Sequence, residues 1–360
     1  MERMPEVEWS TDVRQVGWIR RRLGPFESGE VTSVVPAGFE AYARVLHPAH
    51  GAEERAIRWS EVAARNGIEL RRDTHFPEIA LLPPGDGNQA WDVVGPQEGT
   101  LCAADATALV DILRQHTASP DQCWFCLWDG YGWDSTAPYS MSFPLSDDQP
   151  SPRAVAGVYD GPDVDVHMPE PLGAPEDPIP HEVRDGPRVE MPEREYFLYK
   201  GELDAALAFV ETQQQTPNLW WPADRTWCLA SEMDLPWTYI GGPSHLIDHL
   251  VGDSRIEACQ AEPTDNHQLR LPLWLSAAVD GEVSQVLQGY PGRVQTQLGT
   301  VTVTVRRPRR LRHGDLWTTS VRSDGSSDGS SWTRLTDRNE NALREEIRHA
   351  LAWAVVDLLG

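Results

Sequence analysis

Lysine is nearly missing from this chain of 360 residues: Lys200 is the single lysine, and arginine makes up the rest of the 31 basic residues. The sequence also lacks the Gly-x-x-x-x-Gly-Lys loop that binds phosphate and a Gly-x-Gly-x-x-Gly run that follows a strand. No Gly-x-Ser-x-Gly elbow joins a predicted strand to a predicted helix. These absences argue against the commonest NTPase, kinase and dinucleotide-binding folds.

Long apolar runs are absent as well, since no segment approaches the roughly 20 apolar residues of a membrane-spanning helix. The first residues include Glu2, Glu6 and Glu8, and they lack the apolar core of a signal peptide. Five cysteines, an odd number, fit reduced thiols better than a disulfide framework. The sequence therefore predicts a cytoplasmic protein without membrane contact.

Few residues have the spacing of a metal or redox site. Cys123 and Cys126 are spaced as in zinc knuckles and redox pairs, but zinc needs two further ligands and the other cysteines are isolated. The apolar strand pattern around them favours structural burial. His245 and His249 would share one helical face, yet they lack the glutamate of the zinc-protease motif. We expect no metal, no cofactor and no identifiable catalytic residue.

The net charge of −24 is distributed unevenly along the chain. Residues 268–360 hold 12 basic and 10 acidic residues, which leaves 19 basic and 45 acidic residues for residues 1–267. Most of the molecule would repel nucleic acid, so the charge favours a solvated acidic surface or a basic partner. The arginine run at 306–312 either docks against the acidic part of its own chain, which we favour, or contacts a nucleic acid.

Tryptophan is unusually abundant, with 15 tryptophans against seven phenylalanines and eight tyrosines. The clusters at residues 123–133 and 218–228 mix large rings with Gly, Pro, Asp or Arg. Each pattern is typical of a buried strand that runs into a shaped polar loop, where binding surfaces often form. The residues predicted to bind a ligand or partner are Trp128, Asp129, Trp133, Trp220, Trp221, Asp224, Arg225 and Trp227.

Asp224 and Arg225 lie among the rings of the second cluster and admit two interpretations. The ordinary one is an ion pair that fixes the loop, with the arginine stacked on a ring. The functional one is a clamp in which Trp220, Trp221 and Arg225 hold a planar or anionic group. Both interpretations leave much of the tryptophan mass in the core or at an interface between domains.

A chain of this length exceeds the size at which a single core usually stops growing, so several domains are expected. We predict a multi-domain α+β fold: an α+β N-terminal domain at 1–146, an acidic proline-rich linker at 147–194, a βαββαβ domain at 195–267, and a small C-terminal βββα domain with a hairpin and a helix at 268–360. The strand and helix order of the third segment is that of ferredoxin-like domains. This architecture hosts many functions and so predicts none.

Four strings carry a resemblance to a known group of proteins: Ala41-Tyr-Ala-Arg-Val-Leu-His-Pro-Ala49, Arg58-Trp-Ser-Glu-Val-Ala63, Cys123-Trp-Phe-Cys-Leu-Trp-Asp-Gly-Tyr-Gly132 and Asn218-Leu-Trp-Trp-Pro-Ala-Asp-Arg225. They resemble a family of uncharacterised proteins from high-GC actinobacteria, over roughly residues 10–262 without the linker. The resemblance implies a bacterial cytoplasmic setting. It supplies no catalytic residues.

These patterns support two functional hypotheses. The favoured one is a non-enzymatic binding protein whose tryptophan-rich surfaces recognise a partner protein or a small ligand, because aromatic clusters occur without a nucleophile, metal or phosphate motif. The alternative is a hydrolase with a tryptophan-lined cleft. Its candidate carboxylates are Asp129, Asp134, Asp224 and Asp234. The oligomeric state is left open.

Overall fold

The computed structural model describes residues 7–51, 55–85, 93–131, 180–213, 215–288, 290–296, 300–306, 317–323, 331–335, 344, 347–348, 351–353 and 355–356. These residues form both helices and antiparallel sheets, so the predicted mixed α+β class is confirmed at this level. No helix of the described part is long and apolar enough to cross a membrane.

The α-helices, numbered in chain order, are α1 (Gly17–Arg20), α2 (Trp59–Arg65), α3 (Phe76–Ala80), α4 (Ala103–Arg114), α5 (His181–Arg184), α6 (Ala205–Gln213), α7 (Ser244–Gly252) and α8 (Leu273–Leu287). The strands are β1 (Glu8–Trp9), β2 (Ala41–Leu46), β3 (Ala49–Gly51), β4 (Ala56–Ile57), β5 (Val93–Val94), β6 (Cys123–Trp128), β7 (Val189–Met191), β8 (Arg194–Gly201), β9 (Leu219–Pro222), β10 (Cys228–Ala230), β11 (Trp237–Gly242), β12 (Ala258–Ala261), β13 (Gly292–Gln295), β14 (Thr300–Arg306), β15 (Trp317–Ser323) and β16 (Ser331–Leu335).

The chain separates into two compact units, each assembled from two segments. Unit 1 contains residues 1–45 and 99–266, and unit 2 contains residues 46–98 and 267–360. This division differs from the predicted boundaries. Strands β2 and β6, from the predicted first domain, share one sheet with strands that follow residue 194. Pairing between strands distant in sequence decides such boundaries, and local composition does not report it.

The described part of unit 1 is built on one nine-stranded sheet. Its order is β1-β8-β6-β9-β10-β11-β2-β12, and β7 pairs with the N-terminal part of β8. Strand β6 lies between β8 and β9, so that Phe125 is opposite Tyr199 on one side and Trp220 on the other. The predicted βαββαβ elements are present as β8, α6, β10, β11, α7 and β12, but β9 is an additional strand. The segment therefore does not build a sheet of its own.

Side-chain alternation along β9 sends its two tryptophans to opposite faces of the sheet. Trp220 joins the core formed with α4, α6 and α7, where its ring centroid lies 6.2 Å from that of Phe125 and 5.9 Å from that of Trp227. Trp221 meets Trp18 edge-on at 6.3 Å. One short aromatic strand thus contributes to packing on both sides of the sheet.

Part of the predicted linker belongs to this sheet. Residues 180–194 contain α5 and β7, and Val183 and Val189 are buried. Apolar burial and pairing with β8 hold this stretch in unit 1, so the predicted linker boundary at residue 194 lies too far along the chain. The rest of the linker, from 147 to 179, lies outside the described residues.

Unit 2 contains two small sheets. Strands β13, β14, β15 and β16 form an antiparallel meander, on which α8 packs against β13 and β14. A three-stranded sheet has the order β4-β3-β5. The sequence pattern places the three strands of the predicted βββα domain near 299–305, 315–322 and 331–335, and β14, β15 and β16 lie there; β13 is additional. Most of the predicted C-terminal helix and of the arginine run lies outside the described residues, apart from helical positions between 344 and 356 and Arg306 at the end of β14.

Candidate functional site

Three of the predicted contact residues are inaccessible. Trp220, Trp221 and Trp227 are 0%, 1% and 0% exposed, because β9 and β10 lie inside the sheet with packing on both faces. Within the described part of the chain, the indole N–H groups of Trp220 and Trp227 have no hydrogen-bond partner. Their placement corrects the expectation of a tryptophan contact surface at these positions. Trp133 lies outside the described residues.

Trp128 and Asp129 lie at the end of β6 and are half-buried. The Trp128 backbone N–H donates to Asn218 Oδ1 at 2.9 Å. Asp129 Oδ2 accepts from Arg188 Nε at 2.6 Å, and the Arg188 guanidinium lies 3.9 Å from the centroid of Phe197. This arrangement anchors the end of β6 to the segment before β8. It uses Asp129 as a structural ion-pair partner.

Asp224 has different partners from the one expected. It forms no ion pair with Arg225; its two carboxylate oxygens accept from Thr117 Oγ1, Ala118 N, Thr226 N and Thr226 Oγ1. Partial burial opposes ionisation of Asp224, but the hydrogen bonds from Thr117 and Thr226 outweigh burial and lower its pKa. Arg225 does stack on a ring, as one interpretation expected. That ring belongs to Trp18, whose centroid lies 5.5 Å from the guanidinium carbon.

A small cleft in unit 1 brings polar and apolar groups together. Its cavity volume is about 30 Å³. The turn between β7 and β8, the ends of β9 and β10, and the segment that follows α1 supply its walls. Leu23, Phe26, Met191 and Tyr196 provide apolar surface, and Arg194 and Glu232 provide charge.

An ion pair organises the polar side of the cleft. Arg194 Nε and Nη2 donate to Glu232 Oε1 at 3.1 and 3.0 Å. Arg194 also donates to Asp234 Oδ2 at 3.1 Å and to the Glu193 carbonyl at 3.0 Å. These bonds use four of the five N–H donors of a guanidinium. Arg194 is therefore close to saturated by the protein itself.

Only one of the two carboxylate oxygens of Glu232 accepts hydrogen bonds from Arg194. Its side chain is only 10% exposed, and burial raises the pKa of the carboxyl, although the charge of Arg194 and the backbone amide of Met233 oppose the rise. Both hydrogen bonds that Glu232 accepts from described side chains end on Oε1. Oε2 accepts from no described side chain and is not among the fully buried atoms that lack a partner. The cleft thus presents a hydrogen-bond acceptor.

Three histidines form a cluster in unit 1, and the sequence predicts the proximity of only two of them. His116, which follows α4, has Nε2 at 2.9 Å from Nδ1 of His249, and its ring centroid lies 5.0 Å from that of His245. The pairing of His245 with His249 follows from helical spacing, whereas His116 arrives through the packing of α4 on α7. Among the described residues, no group of three His, Cys, Asp or Glu side chains is arranged to hold a metal ion.

This cluster makes unit 1 sensitive to acid. Burial, followed by the charges of His245 and His249, lowers the pKa of His116 below 6.5. The folded state then binds fewer protons than the unfolded state, so stability is complete above about pH 6.5 and declines as the pH falls. We expect His116→Gln to weaken this decline modestly. Urea unfolding at a series of pH values measures it. His181→Gln, which removes an exposed histidine, is the control, and an equal effect of both variants would exclude the cluster as the source.

The paired cysteines lie in the core. Cys123 and Cys126 are 1% and 0% exposed. Burial raises the pKa of Cys123 to about 12 and also raises the pKa of Cys126. Thiols with such pKa values remain protonated at neutral pH and are poor nucleophiles and metal ligands. Their placement agrees with the structural burial that the strand pattern favours.

Comparison with known proteins leaves the chain without an assigned relative: no family model, no curated protein and no solved structure matches it. The resemblance to an actinobacterial family therefore stays a prediction.

Proposed function

We propose that unit 1 is a non-enzymatic binding module, and that its cleft accepts a cationic N–H donor such as an amine of a partner protein or of a small ligand. The observation that carries this proposal is Glu232 Oε2, an acceptor at the cleft to which no described side chain donates. A binding function agrees with the sequence-based expectation. The proposed binding surface is the cleft, in place of the tryptophan-rich surfaces expected from the sequence.

Charge supports a cationic ligand. Arg194 contributes one guanidinium to the site, whereas Glu232 and Asp234 contribute two carboxylates. The chain as a whole carries a net charge of −24, which attracts basic partners before contact. An anionic ligand would compete with carboxylates that already occupy the donors of Arg194.

The small volume of the cleft favours a ligand of which only the charged head group enters the cavity. A cavity of about 30 Å³ holds about two water molecules, whereas drug-sized ligands occupy roughly 300–1,000 Å³. An ammonium group fits this volume. Its aliphatic stem can lie along Phe26, Leu23 and Met191, in the way that lysine stems cover apolar surface.

The Glu232→Gln variant tests this site, because glutamine keeps the shape and removes the charge. The probe is n-butylammonium, titrated while the amide resonances of Arg194, Ser231 and residue 232 are followed by NMR. We expect saturable shifts in the parent protein and an affinity about tenfold lower in the variant, as is common for the loss of a buried charged contact.

Glu195→Gln is the matched control, since Glu195 is an exposed carboxylate next to Arg194 on the same strand. It should leave the affinity unchanged within about twofold, since rim charges contribute little to affinity. Equal weakening by both variants would show that butylammonium senses the overall acidic field. Absence of saturable shifts in the parent protein would contradict the proposal.

One observation favours the hydrolase as a second candidate. The raised pKa of Glu232 suits a general acid, and Asp234, one of the carboxylates named from the sequence, is bound to the same guanidinium. A hydrolase would cleave members of a panel of nitrophenyl glycosides and esters. Its activity would be lost in both Glu232→Gln and Asp234→Asn. Inactivity of the parent protein with butylammonium binding intact would support the binding module.

A further inference from the structure

Two arginines from distant parts of unit 1 lie over the same indole ring. The guanidinium carbon of Arg22 is 5.7 Å from the ring centroid of Trp18, and that of Arg225 is 5.5 Å from it. Both arginines are exposed, whereas Trp18 is only 4% exposed. The two charges are separated by at most the sum of these distances, about 11 Å. Two exposed positive charges therefore lie near one buried ring.

These two guanidiniums differ from several others in the described part of the chain. Arg14, Arg188, Arg194 and Arg255 all pair with carboxylates. No described carboxylate or hydrogen-bond acceptor pairs with the side chains of Arg22 and Arg225. In a chain with a net charge of −24, two cations within about 11 Å of each other and without an acidic partner are unexpected. Their donors are available to an external anion.

The loop that carries Arg225 is held in an unusual conformation. Arg225 has a φ of 57°, in the left-handed region that few residues other than glycine adopt. The four hydrogen bonds to Asp224 and the bond from the Arg225 amide to the Pro222 carbonyl, at 2.9 Å, fix this turn. Local strain that the surroundings enforce is often associated with functional sites.

The ring is fixed as well. Trp18 meets Phe39 at 6.2 Å and Trp221 at 6.3 Å, both edge-on. The Trp18 ring and the turn that carries Arg225 are therefore held in place, and an anion would mainly order the ends of the two arginine side chains. Such preorganisation lowers the entropy cost of binding.

We propose that Arg22 and Arg225, on the Trp18 ring, form a binding site for the phosphate group of a small soluble phosphorylated molecule. The planar fork of each guanidinium matches phosphate oxygens, and a dianion relieves the repulsion between the two cations. The carboxylate of Asp224 does not compete, because four protein donors occupy it. This site lies outside the cleft residues and takes a ligand of opposite charge, so it goes beyond the proposed function.

Titration of the full chain with phenyl phosphate tests the site. The readouts are the indole N–H resonance of Trp18 and the amide resonance of Thr226, followed by NMR at constant ionic strength, with chloride as the control anion. We expect saturable shifts of both resonances. Arg22→Gln and Arg225→Asn should each weaken the affinity about tenfold or more, as for loss of a bidentate phosphate contact. Asparagine is chosen at position 225 because it tolerates the left-handed conformation.

Arg21→Gln is the matched control, since Arg21 is an exposed neighbour of Arg22 in the turn that follows α1. It should change the affinity by less than about twofold, as expected for a charge acting only through solvent. Equal weakening by Arg21→Gln would show a diffuse basic field and would overturn the site. Binding only to vesicles that contain phosphatidic acid would also overturn the proposal. Unchanged thermal unfolding of each variant confirms that binding, not folding, is lost.

Discussion

Replacing Trp220 by alanine is expected to lower the free energy of unfolding of unit 1 by about 3–5 kcal/mol, the usual cost of truncating a fully buried tryptophan. The side chain is 0% exposed and packs on Phe125 and Trp227 in the core cluster. The decrease in the free energy of unfolding has two parts, the lost burial of the indole and the cavity that alanine leaves. Urea unfolding measures it, with hydrogen exchange in β6 and β9 assigning the transition to unit 1.

Two further variants sharpen this test. Trp124→Ala removes a partly exposed tryptophan from the adjacent strand and should cost clearly less. Trp220→Phe should cost much less than Trp220→Ala, because most of the ring is retained and the indole N–H has no described partner to lose. A loss below about 1 kcal/mol for Trp220→Ala would show that β9 is not buried in solution. Such a result would support the original prediction of a tryptophan contact surface at these positions.

Acidification is expected to destabilise unit 2 through His47, which is buried beside Trp59. Desolvation lowers the pKa of His47 to about 4, although a hydrogen bond to the Gln97 carbonyl opposes the shift. In the unfolded chain the pKa returns to about 6.5. Stability is therefore complete above about pH 6.5 and is lost progressively down to about pH 4. The loss from this one residue is about 3 kcal/mol.

His47→Gln should remove the contribution of His47 to the pH dependence, because glutamine cannot be protonated and can still donate to the Gln97 carbonyl. Urea unfolding at several pH values, followed by hydrogen exchange of residues 56–65, reports on unit 2. Part of the dependence should persist, since burial also lowers the pKa of His267 to about 4. His50→Gln removes a histidine from the neighbouring strand β3 as a control. A slope that is identical in the parent and in His47→Gln would contradict the assignment.

Local patterns predict most helices of unit 1 well. The apolar period of residues 103–116 predicts α4, and the segment Ser244–Val251 predicts α7, within a few residues of their bounds. In both cases the packing face repeats every three or four residues, so neighbouring positions contain the information. The β-branched pattern of Val31–Val35 favours a short β-segment, but the structure has a 3₁₀ turn at Val31–Ser33. Backbone bonds from Val31 and Thr32 to the distant 263–265 segment accompany this turn.

Strand β9 shows where local patterns are insufficient. Its Leu-Trp-Trp-Pro sequence is followed closely by Asp224 and Arg225, a pattern that favours a buried strand running into a polar loop with accessible rings. In the structure β9 pairs with β6 on one side and β10 on the other. Its two tryptophans are buried for that reason. A strand between two partners can carry apolar residues on both faces, and this removes the alternation that marks a half-exposed strand.

The candidate sites depend on residues that chain distance separates. The sequence does not single out Glu232 and Arg194, because acids and arginines are too numerous for any pair to stand out. Arg225 is conspicuous in the sequence for its aromatic neighbours. The ring on which it stacks, Trp18, and the second arginine over that ring, Arg22, lie near the beginning of the chain, far from Arg225 in sequence. No spacing rule connects such positions.

By itself, the sequence determined the mixed α+β class, the acidic charge, the lack of common nucleotide and nucleophile motifs, and the helices whose apolar period is local. Only the tertiary structure decided that Trp220, Trp221 and Trp227 are core residues, that Glu232 faces a cleft, and that Arg22 and Arg225 share a ring. The reason is physical. Periodicity and composition report how a segment contacts its own surroundings, whereas burial and convergence of charges arise from strand pairings between segments far apart in the chain.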